Sequence, residues 1–479
     1  MGTDQGAPRP LVLDVDGTLL RTDLLFEGFW AALAKDPVST LRHSLSHLTA
    51  RAALKAGLAG IAGLRLDLMP VTPSVQRLID EAHGEGREVL LASASDQAQV
   101  TALARQHGLS ERVFASDGEA NLKGAAKAEA LVAAFGEGGF DYAGDSRADL
   151  EVWPHAATAY VVGAPALARQ VSGPHVVELE GGWSPRRLFK AIRPHQWVKN
   201  VLLLLPLIAA HRFDLATLLP ILLGIVAFSA AASSIYIIND LLDLEADRLH
   251  PTKYRRPFAS GEVPIAVGMM AFVGLVLVAL GVGAALNAGF LTVVVIYMML
   301  SLAYSLKLKR MRWVDITTLA ALYTIRVVAG AAAGQVDVSI YMLIFIFPVF
   351  LALGCVKRLT ELTLAKGDER LPGRGYGRAD RGDLLNVAGI GVVGALVIFF
   401  LYSVSEQGHA LYPDTWLMWL AMGPMAWWLV RMVALGWFGK QDYDPIVFAL
   451  RDKLGLGILM ITLSLMFWSA GLWAQWFGG

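Results

Sequence analysis

Apolar segments of membrane length recur from about residue 197 to the end of the chain. A helix needs about 20 residues to cross the hydrocarbon core of a bilayer. The first and fourth segments are short by this measure, and counting them gives nine predicted transmembrane helices. The segments cover roughly residues 198–210, 215–238, 264–286, 290–305, 316–334, 340–356, 385–403, 415–435 and 454–476. With 55% hydrophobic and 17% charged residues, the chain of 479 residues is therefore not a purely soluble protein.

The loops between these segments differ in charge. Alternate loops carry 4, 4, 7 and 4 Lys and Arg residues and lie near residues 239–263, 304–315, 357–384 and 431–453. The remaining connections carry only Arg212. Because cationic loops stay in the cytoplasm, we expect an integral protein of the cytoplasmic (inner) membrane, with the N-terminal half in the cytoplasm and the C-terminus outside. The first residues lack the pattern of a cleavable signal peptide.

The chain before residue 182 has a different pattern, in which short apolar runs end in polar side chains. Four stretches carry it: "PLVLDVDGT" (10–18), "REVLLASAS" (87–95), "NLKGAAKAEAL" (121–131) and "FDYAGDSRADL" (140–150). Strands that alternate with helices predict an α/β, doubly wound, Rossmann-like sheet. The functional site of such a sheet lies at the carboxyl ends of its strands.

With these four motifs in order, the first 165 residues resemble phosphatases of the haloacid dehalogenase (HAD) type. The resemblance implies that Asp14 attacks phosphorus, and that Asp16 protonates the leaving oxygen and then activates water. Ser93 and Lys127 would hold the phosphoryl oxygens, with Lys123 a rival for the lysine role. One Mg²⁺ would be bound by carboxylates of the motifs, namely Asp14, Asp16, Asp145 and Asp149. Two alternatives are that these acids only cap helices or solvate loops, and that the domain is a pseudo-enzyme.

Residues 22–75, between the first two motifs, would form a helical cap that selects the substrate. From Pro37 to Leu66 the sequence has cations but no acid. These cationic and histidine residues are Arg42, His43, His47, Arg51, Lys55 and Arg65. A basic amphipathic helix of this kind can rest on an anionic membrane surface, which would make the phosphatase substrate a lipid. An ordinary cap helix with a solvated face is an equal alternative.

Carboxylates and then cations follow the second apolar segment directly, in "IYIINDLLDLEADRLHPTKYRRP" (235–257). At about 100° per residue, Asn239, Asp243 and Asp247 are predicted to share one helical face, and Asp240 lies three residues before Asp243. Like charges so close together favour a bound cation, and Mg²⁺ bridging to a diphosphate would meet that need. Remaining phosphate charge would be clamped by Lys253, Arg255 and Arg256. A solvated loop that obeys charge bias alone would explain the cations but not the acids.

A second polar group lies in "YSLKLKRMRWVDITTLAALYTIRVVAG" (304–330). Asp315 and Arg326 are three helical turns apart and are predicted to point the same way. Because a buried arginine is costly, Arg326 is a candidate functional residue; the alternative is a structural bridge to an acid of a neighbouring helix. The inward loop 373–383, with Arg374, could fold over phosphates, but charge bias favours an ordinary inward loop.

These residues carry a second resemblance, over about residues 188–479, to the UbiA superfamily of intramembrane prenyltransferases. That fold has nine helices around a cavity open to the cytoplasm. The stretches most similar to its decaprenyl-phosphate phosphoribosyltransferase branch are "RPHQWVKN" (193–200), "DLEADRLHPTKYRRPFASG" (243–261) and "KRLTEL" (357–362). Members of that branch move 5-phosphoribosyl from phosphoribosyl diphosphate (PRPP) onto a polyprenyl phosphate.

This second resemblance implies roles for the polar residues of the membrane half. Asp240, Asp243 and Asp247 would be catalytic, binding Mg²⁺ and the diphosphate leaving group, with Asn239 orienting them. Asp315 would help with the metal or position a base. The other predicted substrate-binding residues are Arg193, Lys199, Lys253, Arg255, Arg256, Tyr304, Lys307, Lys309, Arg326 and Lys357.

We therefore expect a phosphatase domain at residues 1–182, a linker and interfacial helix at 183–196, and a transmembrane transferase domain at 197–479. The predicted enzyme is bifunctional: it transfers 5-phosphoribosyl to a polyprenyl phosphate and then removes the 5-phosphate, with one Mg²⁺ in each active site. Its predicted partners are PRPP, the lipid and the bilayer, and not nucleic acid, and homo-oligomer formation is left open. The alternative is a conventional prenyltransferase that uses a prenyl diphosphate, with the HAD domain an independent phosphatase or a regulatory module.

Overall fold

Short apolar strands near the start of the chain pair into one parallel sheet. The six strands are β1 (Leu11–Leu13), β2 (Val89–Asp96), β3 (Phe114–Ser116), β4 (Asp141–Gly144), β5 (Thr158–Val162) and β6 (His175–Leu179). Their order across the sheet is β3-β2-β1-β4-β5-β6, and Leu11 pairs with Val89 on one side and Asp141 on the other. Because β1, β2 and β4 are neighbours and parallel, their carboxyl ends meet at one edge.

Alternate residues of β1 pack into two different apolar cores, one on each face of the sheet. Leu11 and Leu13 pack with Val100, whereas Val12 packs with Leu131. The helices of this part are α1 (Leu24–Lys35), α2 (Pro37–Ser46), α3 (Arg51–Ala62), α4 (Pro73–Gly84), α5 (Gln97–Gln106), α6 (Ala125–Phe135), α7 (Pro165–Ala168) and α8 (Pro185–Ala191). The predicted Rossmann-like sheet is thus present.

The computed structural model describes residues 8–47, 51–116, 122–365, 367, 370, 374–441 and 444–478. The chain forms two compact units. The first comprises Met1–Ile192 with Tyr236–Val273, and the second comprises Arg193–Ile235 with Gly274–Gly479. The first unit therefore contains both the sheet and the predicted aspartate motif, which comprises Asn239, Asp240, Asp243 and Asp247.

Helices α1, α2 and α3 fall within the range of the predicted cap. Helix α2 leaves Val38, Leu41 and Leu45 exposed on one face, with 68%, 49% and 70% of their surface accessible. Membrane contact through this face stays a prediction. Within the predicted cap, residues 48–50 and the side chain of Arg51 lie outside the described residues.

Seven helices in the described part of the chain are long and apolar enough to cross a membrane. They are α10 (Leu215–Leu242), α12 (Ile265–Leu286), α13 (Ala288–Leu306), α14 (Val314–Gly334), α15 (Ile340–Leu364), α16 (Arg381–Ser403) and α18 (Thr415–Trp437). Shorter helices are α9 (Leu205–Ala209), α11 (Leu244–Leu249), α17 (Glu406–Leu411), α19 (Pro445–Ala449), α20 (Lys453–Ser469) and α21 (Leu472–Phe477). The chain is an integral membrane protein.

The count of nine crossings stays a prediction, because two of the nine segments form shorter helices. At the first segment the chain forms a 3₁₀ stretch, Pro194–Leu204, followed by α9. At the last it forms α20, which has 17 residues. The fourth segment, predicted to be short, is the 19-residue helix α13.

Small residues allow close packing of the helices in the second unit. An added Cβ on Gly330 of α14 would lie only 1.9 Å from the carbonyl oxygen of Leu203. Beside this contact lies an apolar core that includes Tyr323 and Phe350, whose rings are 5.3 Å apart. Close backbone approach at small residues is a common way to associate helices in a bilayer, where the hydrophobic effect does not favour one apolar contact over another.

Candidate active sites

The loop after β1 brings a carboxylate and a glycine turn to the carboxyl edge of the sheet. The backbone N–H of Asp14 donates to the carbonyl of Ala143 in β4 at 2.9 Å, which continues the strand pairing. The Asp14 side chain is buried. Gly17 has φ +88°, and a Cβ there would lie 2.3 Å from Oδ2 of Asp145. Only glycine fits this turn, because it combines a left-handed backbone with direct contact to a carboxylate.

Three carboxylates converge at this edge. Within the described residues, Asp14, Asp145 and Asp149 form the single acidic cluster whose ligand atoms all lie within 4.8 Å of one another. Burial, with Asp149 adding to it, raises the pKa of Asp145 to about 7. Burial also raises the pKa of Asp14 well above its usual range, against the opposing effect of Lys127. Oxygen donors held this close together fit a hard divalent cation such as Mg²⁺, which would stabilise their ionised forms.

Lys127, on α6, is the lysine that reaches the cluster. Its Nζ lies 2.6 Å from Oδ1 of Asp14 and 3.0 Å from the hydroxyl of Tyr142, and that hydroxyl donates to Asp149 at 2.7 Å. Lys123, the rival candidate, is exposed. Tyr142 was not predicted, because in sequence it reads only as an apolar strand residue.

Asp16 lies outside the acidic cluster and has its own partners. Its Oδ1 accepts from the backbone N–H of Leu24 at 2.8 Å, and its Oδ2 accepts from the hydroxyl of Ser95 at 2.7 Å. Ser93, the predicted phosphate ligand, is 3.5 Å from Oδ2 of Asp16. Its Oγ also accepts from the N–H of Ser95. Sequence reasoning missed Ser95, although its spacing of two from Ser93 puts both on one side of β2.

The aspartate motif forms a broken helix, so the predicted continuous face is wrong. Helix α10 ends at Leu242, Asp243 has φ −100° and ψ 13°, and α11 begins at Leu244. Asp240 and Asp247 are nonetheless brought together across the break, because both bind Nη1 of Arg256, at 3.0 and 2.6 Å. One guanidinium therefore offsets part of this like charge, and it belongs to a residue that had been predicted to clamp phosphate.

The other members of the aspartate motif are more accessible. Asn239 and Asp243 are half-buried, and Lys253 and Arg255 are exposed. Burial raises the pKa of Asp247, and Arg256 opposes that shift. The motif thus combines a partly buried carboxylate–guanidinium contact with accessible polar groups around it.

In the second unit, Asp315 lies at the centre of a buried polar network. It accepts from Nε and Nη2 of Arg358 at 2.5 and 2.9 Å, and from the Tyr304 hydroxyl at 2.9 Å. Arg374 donates to the Tyr304 hydroxyl at 3.1 Å and lies 3.4 Å from Asp315. At least this residue of the inward loop 373–383 therefore contacts a predicted site residue. Arg358 was not singled out, although it lies within the quoted "KRLTEL" stretch. Its side chain and that of Asp315 are fully buried.

A second network joins two predicted substrate-binding lysines. Lys199 forms a short ion pair with Asp444, and Nζ of Lys357 lies 3.6 Å from the same carboxylate. Burial acts to raise the pKa of Asp444, but the two lysines outweigh it and hold that pKa well below its usual range. Asp444 was missed, because it stands in a loop with no motif around it.

Arg326 is held by groups that carry no formal charge. It donates to Asn200 Oδ1 and the Tyr297 hydroxyl at 3.1 Å each, and to the Leu322 carbonyl at 2.5 Å. Its guanidinium carbon is also 4.9 Å from the centre of the Tyr297 ring, a cation–π distance. The remaining predicted residues are less enclosed: Arg193, which has a left-handed φ of 54°, and Lys309 are half-buried, and Lys307 is exposed.

Comparisons with known proteins support the predicted class of both domains. The family model for haloacid dehalogenase-like hydrolases matches residues 11–153, and that for the UbiA prenyltransferase family matches residues 201–451. The second match covers more than half of the chain. The chain therefore belongs to the UbiA prenyltransferase family, and it carries a HAD-like hydrolase domain before the transferase domain.

Individual relatives match either nearly the whole chain or only a part of it. The uncharacterized protein y4nM of Sinorhizobium fredii is 34% identical over 95% of this chain and 90% of its own length. Nodulation protein NoeC of Azorhizobium caulinodans is 35% identical over 58% of this chain and 92% of its own. A decaprenyl-phosphate phosphoribosyltransferase of Mycobacterium tuberculosis is 39% identical over 37% of this chain and 60% of its own. The predicted combination of a HAD-type domain with a UbiA-type domain similar to this last group is confirmed.

Proposed function

We propose that this protein makes a polyprenyl phosphoryl pentose in two steps. In the first, the transmembrane domain transfers 5-phosphoribosyl from PRPP to a polyprenyl phosphate. In the second, the HAD-like domain hydrolyses the 5-phosphate of that product. The single observation that carries the proposal is the fusion, in one chain, of a domain similar to decaprenyl-phosphate phosphoribosyltransferases with an acidic cluster of the phosphatase type.

In the transfer step, an oxygen of the lipid phosphate forms a bond to C1 of the ribose. The C1–O bond to the diphosphate breaks, and the diphosphate leaves with the electron pair. No general base is required, because the attacking phosphate oxygen is already anionic. Asp240, Asp243 and Asp247 would hold a Mg²⁺, which would neutralise the departing diphosphate, and Arg256 would exchange its carboxylate partners for phosphate oxygens.

In the hydrolysis step, a carboxylate oxygen of Asp14 attacks phosphorus and the bond to the ribose 5-oxygen breaks. Asp16 protonates that leaving oxygen, then takes a proton from water as the water releases phosphate from Asp14. Lys127 supports this assignment, because its contact with Asp14 lets it also reach a phosphoryl oxygen. A Mg²⁺ held by Asp14, Asp145 and Asp149 would offset the charge of the incoming phosphate.

The order of the two steps follows from their chemistry. The transferase product keeps the 5-phosphate of PRPP, and a pentose donor needs that position free. Charge bias in the loops favours a cytoplasmic aspartate motif, on the side where the HAD domain is expected. An intermediate that stays in the bilayer meets the tethered phosphatase at a high effective concentration.

A direct test is to incubate the purified protein with PRPP, polyprenyl phosphate and Mg²⁺ and to identify the lipid products by mass spectrometry. The wild type should yield the dephosphorylated lipid, and Asp14→Asn should accumulate the 5-phospho lipid. Asp80→Asn, which changes an exposed carboxylate of α4, is the control and should behave as wild type. Equal amounts of dephosphorylated lipid from Asp14→Asn and wild type would contradict the coupling.

A second candidate is a conventional prenyltransferase, which the UbiA family match favours by its description. The donor would then be a prenyl diphosphate, and the HAD-like domain would act on another phosphate or regulate the transferase. Labelled prenyl diphosphate entering a product while labelled PRPP does not would select this candidate.

A further inference from the structure

A buried ion pair joins the HAD-like fold to the aspartate motif inside the first unit. Glu27 of α1 and Arg248 of α11 contact each other through two bonds, Nη2 to Oε1 at 2.5 Å and Nη1 to Oε2 at 3.1 Å. Their side chains are only 3% and 7% exposed. A two-pronged, buried contact of this kind fixes the relative orientation of both side chains.

Glu27, the first member of the pair, is linked through α1 to Asp16 of the HAD-like site. Glu27 lies one helical turn after Leu24, whose N–H donates to Asp16 at 2.8 Å. Its Oε1 also accepts from the hydroxyl of Thr22 at 2.6 Å. Any rotation of α1 that moved Glu27 would therefore also move a hydrogen bond of Asp16.

Arg248, the other member of the pair, is linked to the aspartate motif. Arg248 directly follows Asp247, and its Nε donates to the carbonyl of Ala259 at 3.0 Å. Ala259 lies three residues after Arg256, which binds Asp240 and Asp247. Arg248 thus connects the segment that carries Asp247 to the segment that carries Arg256.

The loop that contains Ala259 also packs against the start of the predicted cap and a residue near its end. A Cβ on Gly261 would lie 2.5 Å from Cβ of Arg21, just before the cap, and 3.0 Å from Pro70, in its last part. Nη1 of Arg248 is also 3.5 Å from the sulfur of Met69. The N–H of Arg21 donates to the Pro70 carbonyl at 2.8 Å, so the two cap connections are tied to each other beneath the loop.

We infer that Glu27 and Arg248 are a positioning pair that couples the two active sites, so that occupancy of the aspartate motif changes the rate of the phosphatase. A metal–diphosphate that draws Arg256 from its carboxylates must shift the chain between Asp247 and Ala259. That shift is passed through Arg248 to α1 and to the Leu24–Asp16 bond. The coupling rests on the proposed function only in that both sites bind phosphate groups with a divalent cation.

The test measures phosphatase turnover of the full-length protein in detergent micelles, with p-nitrophenyl phosphate as substrate. Methylenediphosphonate with excess Mg²⁺ serves as the non-hydrolysable occupant of the transferase motif. In the wild type it should change kcat at least about threefold. Asp240→Asn should abolish the response, which would show that the effect does not come from competition at the phosphatase site.

The decisive variant is Glu27→Gln, which keeps the shape of the side chain but removes its charge. It should retain turnover of p-nitrophenyl phosphate and lose the response to methylenediphosphonate. Glu111→Gln is the matched control, because Glu111 forms a two-pronged pair with Arg105 that is exposed; its response should equal that of the wild type.

If the variant Glu27→Gln proves unstable, Arg248→Lys can be measured in its place. This variant keeps the positive charge but loses the two-pronged contact of the guanidinium, so it should give an intermediate response. A wild-type response in Glu27→Gln, or no response in the wild type, would overturn the inference. Either result would leave the proposed function intact, since that depends on the lipid products formed from PRPP.

Discussion

At the scale of single residues, the phosphatase-like site gives different contacts to two nearby serines, of which the sequence had indicated only Ser93. Ser95, not Ser93, makes the short bond to Asp16. A hydrogen bond to a charged group contributes about 1.5–3 kcal/mol. Ser95→Ala should therefore lower kcat for phosphate ester hydrolysis about 10- to 100-fold, with a smaller effect on KM.

Ser93→Ala is the comparison for that prediction, measured in the same steady-state assay. If Ser93 binds phosphate as predicted, Ser93→Ala should mainly affect KM. A larger loss of kcat in Ser93→Ala than in Ser95→Ala would contradict the assignment.

Gly17 offers a second residue-scale prediction. Gly17→Ala would place a methyl group against Asp145 and force a left-handed backbone, so Mg²⁺ binding and phosphatase turnover should both fall at least about 100-fold. Gly138→Ala is a control for backbone strain alone, since φ there is +63° with no atom within 4 Å of the added Cβ. Isothermal titration with Mg²⁺ would measure the effect, and equal binding by the two variants would refute the steric explanation.

The carboxylate cluster also predicts how metal binding depends on pH. Because the pKa of Asp145 is about 7 without a bound cation, a proton must leave when Mg²⁺ binds. Below pH 7 the protonated fraction of Asp145 grows, so this group alone should raise the apparent Kd for Mg²⁺ by up to about tenfold per pH unit. Titrations of an Asp240→Asn background between pH 5.5 and 8.5 would measure this, and a constant Kd would contradict it.

At the scale of elements, the packing of α14 depends on Gly330. Gly330→Ala should destabilise the second unit by about 1–3 kcal/mol, because the methyl group meets the backbone of Leu203 rather than a flexible side chain. Gly281→Ala in α12 meets no atom within 4 Å and should be neutral. Thermal unfolding in detergent micelles would compare them, and equal melting temperatures would contradict the packing argument.

How far sequence predicts such elements depends on whether a residue's partners are local. Asp14 and Asp145 could be placed together, because both follow strands whose parallel pairing brings their ends to one edge. The break at Asp243 could not be predicted, since periodicity assumes that the helix continues. The sequence also could not predict that Arg358, rather than Lys357, is the partner of Asp315. Only the packing of α14 against α15 decides which of the two cations faces inward.

At the scale of the whole molecule, the predicted arrangement of nine crossings can be tested by the accessibility of single cysteines from each side of the membrane. Cys355 is buried, so cysteines can be introduced singly and labelled in intact cells with little background. A cysteine at Lys253 should react only with reagents that enter the cytoplasm, and one at Gln407 with impermeant reagents. A cysteine at Gln475 reacting only after permeabilisation would show that the C-terminus is inside and that nine crossings is wrong.

The contact of Arg256 with Asp240 and Asp247 has a consequence for the order in which ligands can arrive. Arg256 offsets one of these two carboxylate charges, so a bare cation gains less attraction on approach than it would from the carboxylates alone. If the proposed function holds, a preformed chelate of metal and diphosphate would instead exchange contacts one for one, its cation binding the aspartates as its oxygens bind the freed guanidinium. Such an exchange site would then select its ligand by the pairing of charges within it rather than by net charge.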